Sequence, residues 1–333
     1  MSKRKWAKKG RAIADFGSAM LFTTAENIVD FGIRNVRRTY TGIFSLKRKS
    51  SKTVDLSKNK SIIFSPVSKD RLEKVFFKDV IGLEDAKDQL RERLILPLEH
   101  QEKAKILKIA KGGGVLLHGP HGNGKTTLVK ALANEIEAPL FHITPKDIIR
   151  SAMGVSANLV SELFRILKGY KVAILFLDDV DGLIKSRSTN SAIMGSIISQ
   201  FLIETDGLET NFGDNVLLIL AATNRIKIID EAMKRCGRFD ERIFVGPPDL
   251  RARELILRKN MDQVPSLDDI DFSQLACTTE GFSGADLKGL VNKAKQRAFR
   301  RSIALQGKYT ISEVLMSDFE TALSELRSKP EEK

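Results

Sequence analysis

The chain has 333 residues, room for two or three compact domains, and its 42% hydrophobic and 29% charged residues exclude wholesale disorder. Two cysteines, Cys236 and Cys277, exclude a disulfide framework and point to a reducing compartment such as the cytosol; the four histidines include no H-E-x-x-H pair, which excludes a zinc hydrolase built on that helix. Of the net charge of +13, residues 1–75 carry nearly all, with 18 Lys and Arg against 6 Asp and Glu, so the basicity belongs to an N-terminal extension and not to the globular body.

The extension opens with Lys3, Arg4, Lys5, Lys8, Lys9 and Arg11 and runs into an apolar stretch that Asp15 interrupts. No small-residue cleavage site follows, and no stretch approaches the roughly 18 apolar residues a membrane span needs. Ile13, Phe16, Met20, Ile28 and Phe31 recur at helical spacing, followed by Arg34, Arg37, Arg38, Lys47, Arg48, Lys49 and Lys52. A basic amphipathic helix of this kind suits an anionic membrane surface or an acidic adaptor, reached through residues 1–52. It equally suits nucleic acid, or a solvated tail beside a small helical element, and an organelle-targeting sequence is a further reading. Residues 45–68, rich in Ser and Lys ahead of Pro66, read as a linker.

From Phe76 onward the pattern changes. Val115–His118, Leu140–Ile143, Val172–Leu177, Val216–Ala222 and Arg242–Val245 are short apolar runs separated by helical stretches, which predicts five buried strands in a parallel sheet covered on both faces. After Pro247 and Pro248 the strands stop, and Arg251–Met261, Ser283–Ile303 and Ser317–Leu326 read as helices. The expected architecture is a doubly wound α/β domain over residues 76–248 followed by a small helical domain over 249–333.

The sharpest motif is Gly119-Pro120-His121-Gly122-Asn123-Gly124-Lys125-Thr126, a G-x-x-x-x-G-K-[ST] pattern between a strand and a helix, with Thr127 following. Glycines let backbone N–H groups turn inward around phosphates, and the start of the following helix adds positive potential. Lys125 is placed to reach the β- and γ-phosphates and the Thr126 hydroxyl to ligate Mg²⁺. The strand Val172–Leu177 exits into Asp178 and Asp179. Asp178 is expected to hold Mg²⁺, usually through water, and Asp179 to orient the attacking water. On these residues alone Asp179 could instead cap the next helix, with Asp181 taking the water.

Seven segments in order now carry a resemblance: Asp79-Val80-Ile81-Gly82-Leu83-Glu84, the phosphate loop, Phe176-Leu177-Asp178-Asp179-Val180-Asp181, Glu204-Thr205-Asp206-Gly207-Leu208, Ala222-Thr223-Asn224-Arg225, Arg235-Cys236-Gly237-Arg238-Phe239-Asp240 and Gly281-Phe282-Ser283-Gly284-Ala285-Asp286-Leu287. Over residues 76–328 the chain resembles the AAA ATPases, in the clade of membrane-anchored AAA proteases, proteasomal ATPases and microtubule-severing enzymes. The resemblance implies ATP and Mg²⁺, a helical lid, and a homo-oligomeric ring, expected as a hexamer. It implies that Asn224 is a polar sensor of the γ-phosphate or its water, and that Arg235 and Arg238 are fingers inserted into the neighbouring subunit's site. Asp206-Gly207-Leu208 would signal between subunits, Ile81 and Gly82 would border the adenine, and Gly284 and Ala285 would lie near adenine and ribose. Related ATPases that act on nucleic acid often carry arginine at the Ala285 position, so Ala285 fits the protein-remodelling clade.

Three positions depart from the family pattern. Asp179 replaces the usual Glu and is shorter by one methylene, about 1.5 Å of reach. The pore-loop position reads Ala152-Met153-Gly154, without an aromatic ring, and Cys236 stands where proline is usual. No metal-ligand motif follows the lid, so any degradation is expected in a partner. The implied function is an ATP-driven ring, cytoplasmic or peripheral to a membrane, that remodels, extracts or unfolds proteins and is recruited through its basic N-terminal segment. The competing expectation is a nucleotide-gated scaffold on nucleic acid or membrane that threads little.

Overall fold

The computed structural model describes residues 65–67, 73–144, 147, 158–181, 200–201, 203–205, 215–229, 239, 241–266, 270–304 and 311–327. The expected amphipathic N-terminal helix and most of the expected linker lie outside the described residues. Five strands, β1 (Gly113–His118), β2 (Leu140–Ile143), β3 (Val172–Leu177), β4 (Val216–Thr223) and β5 (Glu241–Phe244), form one sheet in the order β2-β3-β4-β1-β5, and every pairing is parallel. Among the described residues the helices are α1 (Glu84–Leu90), α2 (Leu96–Glu99), α3 (Gln101–Ile106), α4 (Lys125–Glu135), α5 (Asn158–Leu167), α6 (Leu250–Met261), α7 (Phe272–Thr278), α8 (Gly284–Ala304) and α9 (Met316–Arg327), with a π-helical turn at Arg91–Ile95 joining α1 to α2.

The strands alternate faces, as extended chains must. Val115, Leu117, Ile174, Phe176, Leu218 and Leu220 pack with Leu128, Val129 and Leu132 of α4. Leu116, Leu175, Leu177, Leu217, Ile219 and Ala221 pack on the opposite face with Leu163, Phe164 and Leu167 of α5. Covered on both faces, β4 is buried at every position, which is why its sequence reads as one unbroken apolar run.

Two boundaries differ from the sequence expectation for physical reasons. β1 begins at Gly113, two residues before Val115, because glycine is depleted in strands and masks the start of the ladder. A side chain at the preceding Gly112 would put its Cβ 2.8 Å from the Leu217 carbonyl oxygen, so close approach to β4 demands glycine there. The body also starts earlier than Phe76. The Val67 N–H donates to the Leu140 carbonyl at 2.8 Å, Asn134 of α4 donates to the carbonyls of Glu73 and Val75, and the Phe77 N–H donates to Glu135 at 2.9 Å. Val67, at the end of the stretch read as linker, is thus docked on the sheet edge, and residues 73–77 are docked on α4.

α6 to α9 bury a separate core around Leu257, Leu275, Leu287, Leu290, Val291 and Phe319. Asp249 caps α6 through the Ala252 N–H, Asp271 caps α7 through the Gln274 N–H, and Ser283 with Asp286 forms a reciprocal cap on α8. The α7 segment lacked enough periodic apolar positions to be expected. Arg253, buried, donates to the Ala276 carbonyl and to the Pro248 carbonyl, tying α6 to α7 and to the turn that leaves the sheet.

α8 and α9 are joined by Arg301 and the buried Asp318, whose carboxylate also accepts from the Leu315 N–H at 2.9 Å. Burial alone would raise the Asp318 pKa; the hydrogen bonds from Arg301 and Leu315 outweigh it and leave the carboxyl below its ordinary value. A depressed folded pKa contributes stability above the unfolded carboxyl range near pH 4, and that contribution disappears as pH falls through the folded value. Asp318→Asn is expected to lose about 1.5–3 kcal/mol at pH 7 in urea unfolding followed by circular dichroism. The gap to the parent should narrow as pH falls below the unfolded carboxyl range near pH 4 and vanish below the folded value; a gap that does not narrow at all would place its origin in shape and not charge.

Candidate functional site

Strand order sets the site. With β3, β4 and β1 adjacent and parallel, their C-terminal ends open side by side, and the loop after β1 lies over the exits of the other two. The loop turns back at Gly119, whose φ of 148° and whose Cβ position, 2.1 Å from the Val245 carbonyl oxygen, admit no side chain. Gly124, at φ 88°, caps α4, so Lys125 and Thr126 occupy its first turn while Thr127 is exposed beside them. Pro120 and His121 are exposed at the tip of the loop.

Lys125 is only 8% exposed. Its ammonium donates to the carbonyls of Gly119 and Pro120, each at 2.8 Å, and to Asn224 Oδ1 at 2.7 Å. Burial lowers its pKa, and Asp179, Asp178 and Asp181 pull it back up. Asn224, just past β4, donates through Nδ2 to Asp179 Oδ1 at 3.0 Å, completing a chain from the ammonium to that carboxylate. Asp179 holds a left-handed backbone, φ 53°, at the sharp turn out of β3. Asp181 is engaged elsewhere and accepts from Thr223 Oγ1 at 3.1 Å.

The Thr126 hydroxyl donates to Asp178 Oδ2 at 3.0 Å, and His142 Nε2 lies 3.3 Å from the same oxygen. Burial pushes the Asp178 pKa up, but the hydrogen bonds from His142 and Thr126 more than offset it and hold the carboxyl below its usual value. His118, at the end of β1, is kept below its ordinary value by burial, then by Arg242 and Lys125.

Two lid elements close on this edge. The Ala285 N–H donates to the Gly122 carbonyl at 3.1 Å, and a Cβ at Gly122 would stand 2.6 Å from Ser283 Oγ and 2.8 Å from Ala285 Cβ. A Cβ at Gly284 would come 3.3 Å from the Gly122 carbonyl oxygen. On the other side, Gly82 (φ 69°) and Leu83 (φ 63°) make a left-handed turn against Ala252 of α6. The buried Lys87 donates to the Val80 carbonyl at 2.6 Å, and Lys259 of α6 donates to the Asp79 carbonyl at 2.7 Å. The loop bearing Ile81 and Gly82 is thereby pinned between the sheet domain and the lid.

The structure brings together Ile81, Gly82, the phosphate loop, Asp178, Asp179, Asn224, Gly284 and Ala285 around one edge. Arg235 and Arg238, with Cys236, lie outside the described residues, as do Asp206 to Leu208 and Ala152 to Gly154. Sequence reading missed His142, Lys87 and Lys259. His142 left one signal, a polar residue within an otherwise apolar strand run. Lys259 left none, because its partner is a backbone carbonyl, and Lys87 left only an i,i+3 pairing with Glu84, which says nothing of its bond to the Val80 carbonyl.

The arrangement fits a nucleotide triphosphate with Mg²⁺. Thr126 spends its proton on Asp178, which leaves the hydroxyl's lone pairs for a cation. Among the described residues no group of three or more His, Cys, Asp or Glu side chains could hold a metal unaided, so a cation here needs phosphate and water oxygens, as Mg²⁺ prefers. The buried Asn123 amide has no hydrogen-bond partner on either atom, an unusual state within a phosphate loop.

Fold and loop together define a P-loop nucleotide-binding protein with a helical lid. Residues 115–247 match the ATPase family associated with various cellular activities, AAA, and residues 269–320 match the AAA+ lid domain. The ATP-dependent zinc metalloprotease FtsH of Acidobacterium capsulatum is 38% identical over 279 residues, 82% of this chain and 41% of that protein. The proteasome-activating nucleotidase of Aeropyrum pernix is 40% identical over 232 residues, 68% of this chain and 56% of that one. A structure from work on the structural basis for katanin self-assembly superposes with a TM-score of 0.62 at 32% identity, covering 75% of this chain and 84% of that one. The chain belongs to the AAA ATPase family, a family of ATP-hydrolysing enzymes. It spans 41% of the length of the FtsH relative.

Gly122→Ala tests how the lid seats on the loop. The left-handed backbone alone costs about 1–2 kcal/mol with a Cβ, and the added methyl meets Ser283 and Ala285. The variant is expected to melt a few degrees lower and to be cut faster by protease near Pro247–Pro248; an unchanged melting point and digestion pattern would contradict the observed seating.

Proposed function

We propose that this chain is a Mg²⁺-dependent ATP hydrolase that works as a homo-oligomeric ring, six subunits in the simplest arrangement, and remodels, extracts or unfolds protein substrates. The observation that carries the reading is the linked set Lys125, Asn224 and Asp179 beside the pair Thr126 and Asp178 at one sheet edge.

In this reading the backbone N–H groups of residues 119–124 and the start of α4 cradle the phosphates. Lys125 exchanges the carbonyls of Gly119 and Pro120 for β- and γ-phosphate oxygens. Thr126 and Asp178 hold Mg²⁺, which when bound neutralises charge on those oxygens. Asp179 orients the attacking water. Asp181 is already committed to Thr223, which favours Asp179 over it. Asn224 touches both Lys125 and Asp179, so it senses whether a γ-phosphate is present. Ile81, Gly82, Gly284 and Ala285 border the adenine and ribose.

Arg235 and Arg238 act in trans as fingers that offset charge growing on the transferred phosphoryl group, a contribution of roughly 10³ to 10⁵ in rate. Likeness to an FtsH protease, a proteasome-activating nucleotidase and a katanin structure supports work on proteins. The basic extension recruits the ring to an anionic membrane surface or an acidic adaptor, in the cytoplasm or at its membrane periphery. Ala285 disfavours a nucleic-acid motor. The alternative, a nucleotide-gated scaffold with little threading, draws on Asp179 in place of Glu and on Ala152-Met153 at the pore position.

Asp179→Asn is expected to bind ATP with near-parent affinity, to stabilise the assembled ring in light scattering and to lower turnover at least 100-fold by phosphate release. Undiminished turnover would pass the water to another group. Mixing Arg238→Ala with Lys125→Ala subunits, each inactive alone, should restore part of the activity at interfaces that pair an intact finger with an intact site. No recovery at any ratio, with mixed assembly verified, would rule out fingers acting between subunits.

A further inference from the structure

The third histidine at this edge has no role in the reading above. His142 sits on β2, the outer strand of the sheet, where the parallel register pairs it with Phe176. Side chains two residues apart on a strand share a face, so Asp178, two residues past Phe176, rises on the same face as His142, one step further along. The imidazole lies against the Phe176 ring, with centroids 5.1 Å apart and planes inclined by 31°, and this contact restricts its rotation. From that seat Nε2 reaches to 3.3 Å from Asp178 Oδ2, the oxygen that also accepts from Thr126.

We propose that His142 is a positioning residue that holds the Asp178 carboxylate in the rotamer required for Mg²⁺. The proposal rests on the assignment of Asp178 as the metal-holding carboxylate. Asp178 lies immediately past the last residue of β3, where its main chain is fixed by the N–H bond to the Ile143 carbonyl at 3.0 Å. The main chain alone does not set the carboxylate orientation. Thr126 approaches from α4 and His142 from β2, so the carboxylate is held from two elements that flank it. With Mg²⁺ bound, the Thr126 hydroxyl is shared with the ion, and the imidazole remains as a side-chain tether that takes no part in coordination. Groups that orient a metal-holding carboxylate in this way typically contribute 10- to 100-fold to metal affinity.

The test uses the full chain and a fluorescent ATP analogue, titrated in EDTA and across a Mg²⁺ series. His142→Ala should bind the analogue in EDTA as the parent does, yet require about 10-fold more Mg²⁺ to reach half of the metal-dependent gain in affinity. His142→Gln, whose side-chain amide nitrogen can stand where Nε2 stands, should recover part of that loss, which a merely space-filling histidine would not predict. Asp178→Asn separates the two layers of the argument. If it abolishes the Mg²⁺ dependence while His142→Ala leaves it unchanged, the positioning role is wrong and the metal assignment stands; if Asp178→Asn also leaves it unchanged, the metal assignment itself fails. An equal loss for His142→Ala in EDTA and in Mg²⁺, or a His142→Gln variant no better than His142→Ala, would also overturn the proposal.

Discussion

A buried ammonium is the constraint around which this molecule is arranged. Lys125 cannot be drawn into the end of a parallel sheet without acceptors for its protons, because an unpaired buried charge costs several kcal/mol. Two of those acceptors are loop carbonyls, which requires the chain to fold back over the first turn of α4. The third is Asn224, which requires β4 to lie next to β1 and to end level with it. The three aspartates that raise the affinity of Lys125 for its proton come from the exit of β3, so that strand must be the next one over. Strand order, loop curvature and acid placement are therefore one requirement seen from three sides. The glycines at 119 and 124 are its backbone consequence.

The same edge also meets the lid at two points. Ala285 reaches the phosphate loop through the Gly122 carbonyl, and α6 reaches the loop of Ile81 and Gly82 through Ala252 and Lys259. A nucleotide bound as proposed would contact elements on both sides of the Pro247–Pro248 turn. In the proposed reading, a change at the γ-phosphate would be felt by Asn224 and Lys125, then by the loop carbonyls that Lys125 bonds, and so by the start of α8. Coupling of this kind needs no long pathway, since a few backbone hydrogen bonds separate the reacting phosphate from the lid.

Much of this arrangement is legible in the sequence because it rests on local rules. The glycine spacing of the phosphate loop, the unbroken apolar run of β4 and the paired acids after β3 each declare themselves within a few residues. What escaped reading depends on register and on partners far along the chain. His142 gains meaning only once β2 is paired with β3 so that the imidazole stands diagonal to Asp178. Lys87 and Lys259 serve backbone carbonyls, and a carbonyl has no sequence signature. Val67 looks like linker because single apolar residues among Ser and Lys give no period, yet it docks on the sheet edge. The helix α7 was hidden for a related reason: seven residues give too few turns for a periodic pattern to emerge. Arg235 and Arg238 were singled out through family resemblance alone, since isolated arginines read as surface cations.

A high-resolution structure of the assembled chain with a non-hydrolysable ATP analogue and Mg²⁺ tests most directly whether the three bonds of Lys125 hold its ammonium ready for phosphate. Lys125 Nζ should have left the carbonyls of Gly119 and Pro120 for β- and γ-phosphate oxygens, with Thr126 and Asp178 beside the metal. A structure in which Lys125 keeps all three of its acceptors while the phosphates bind elsewhere would contradict it.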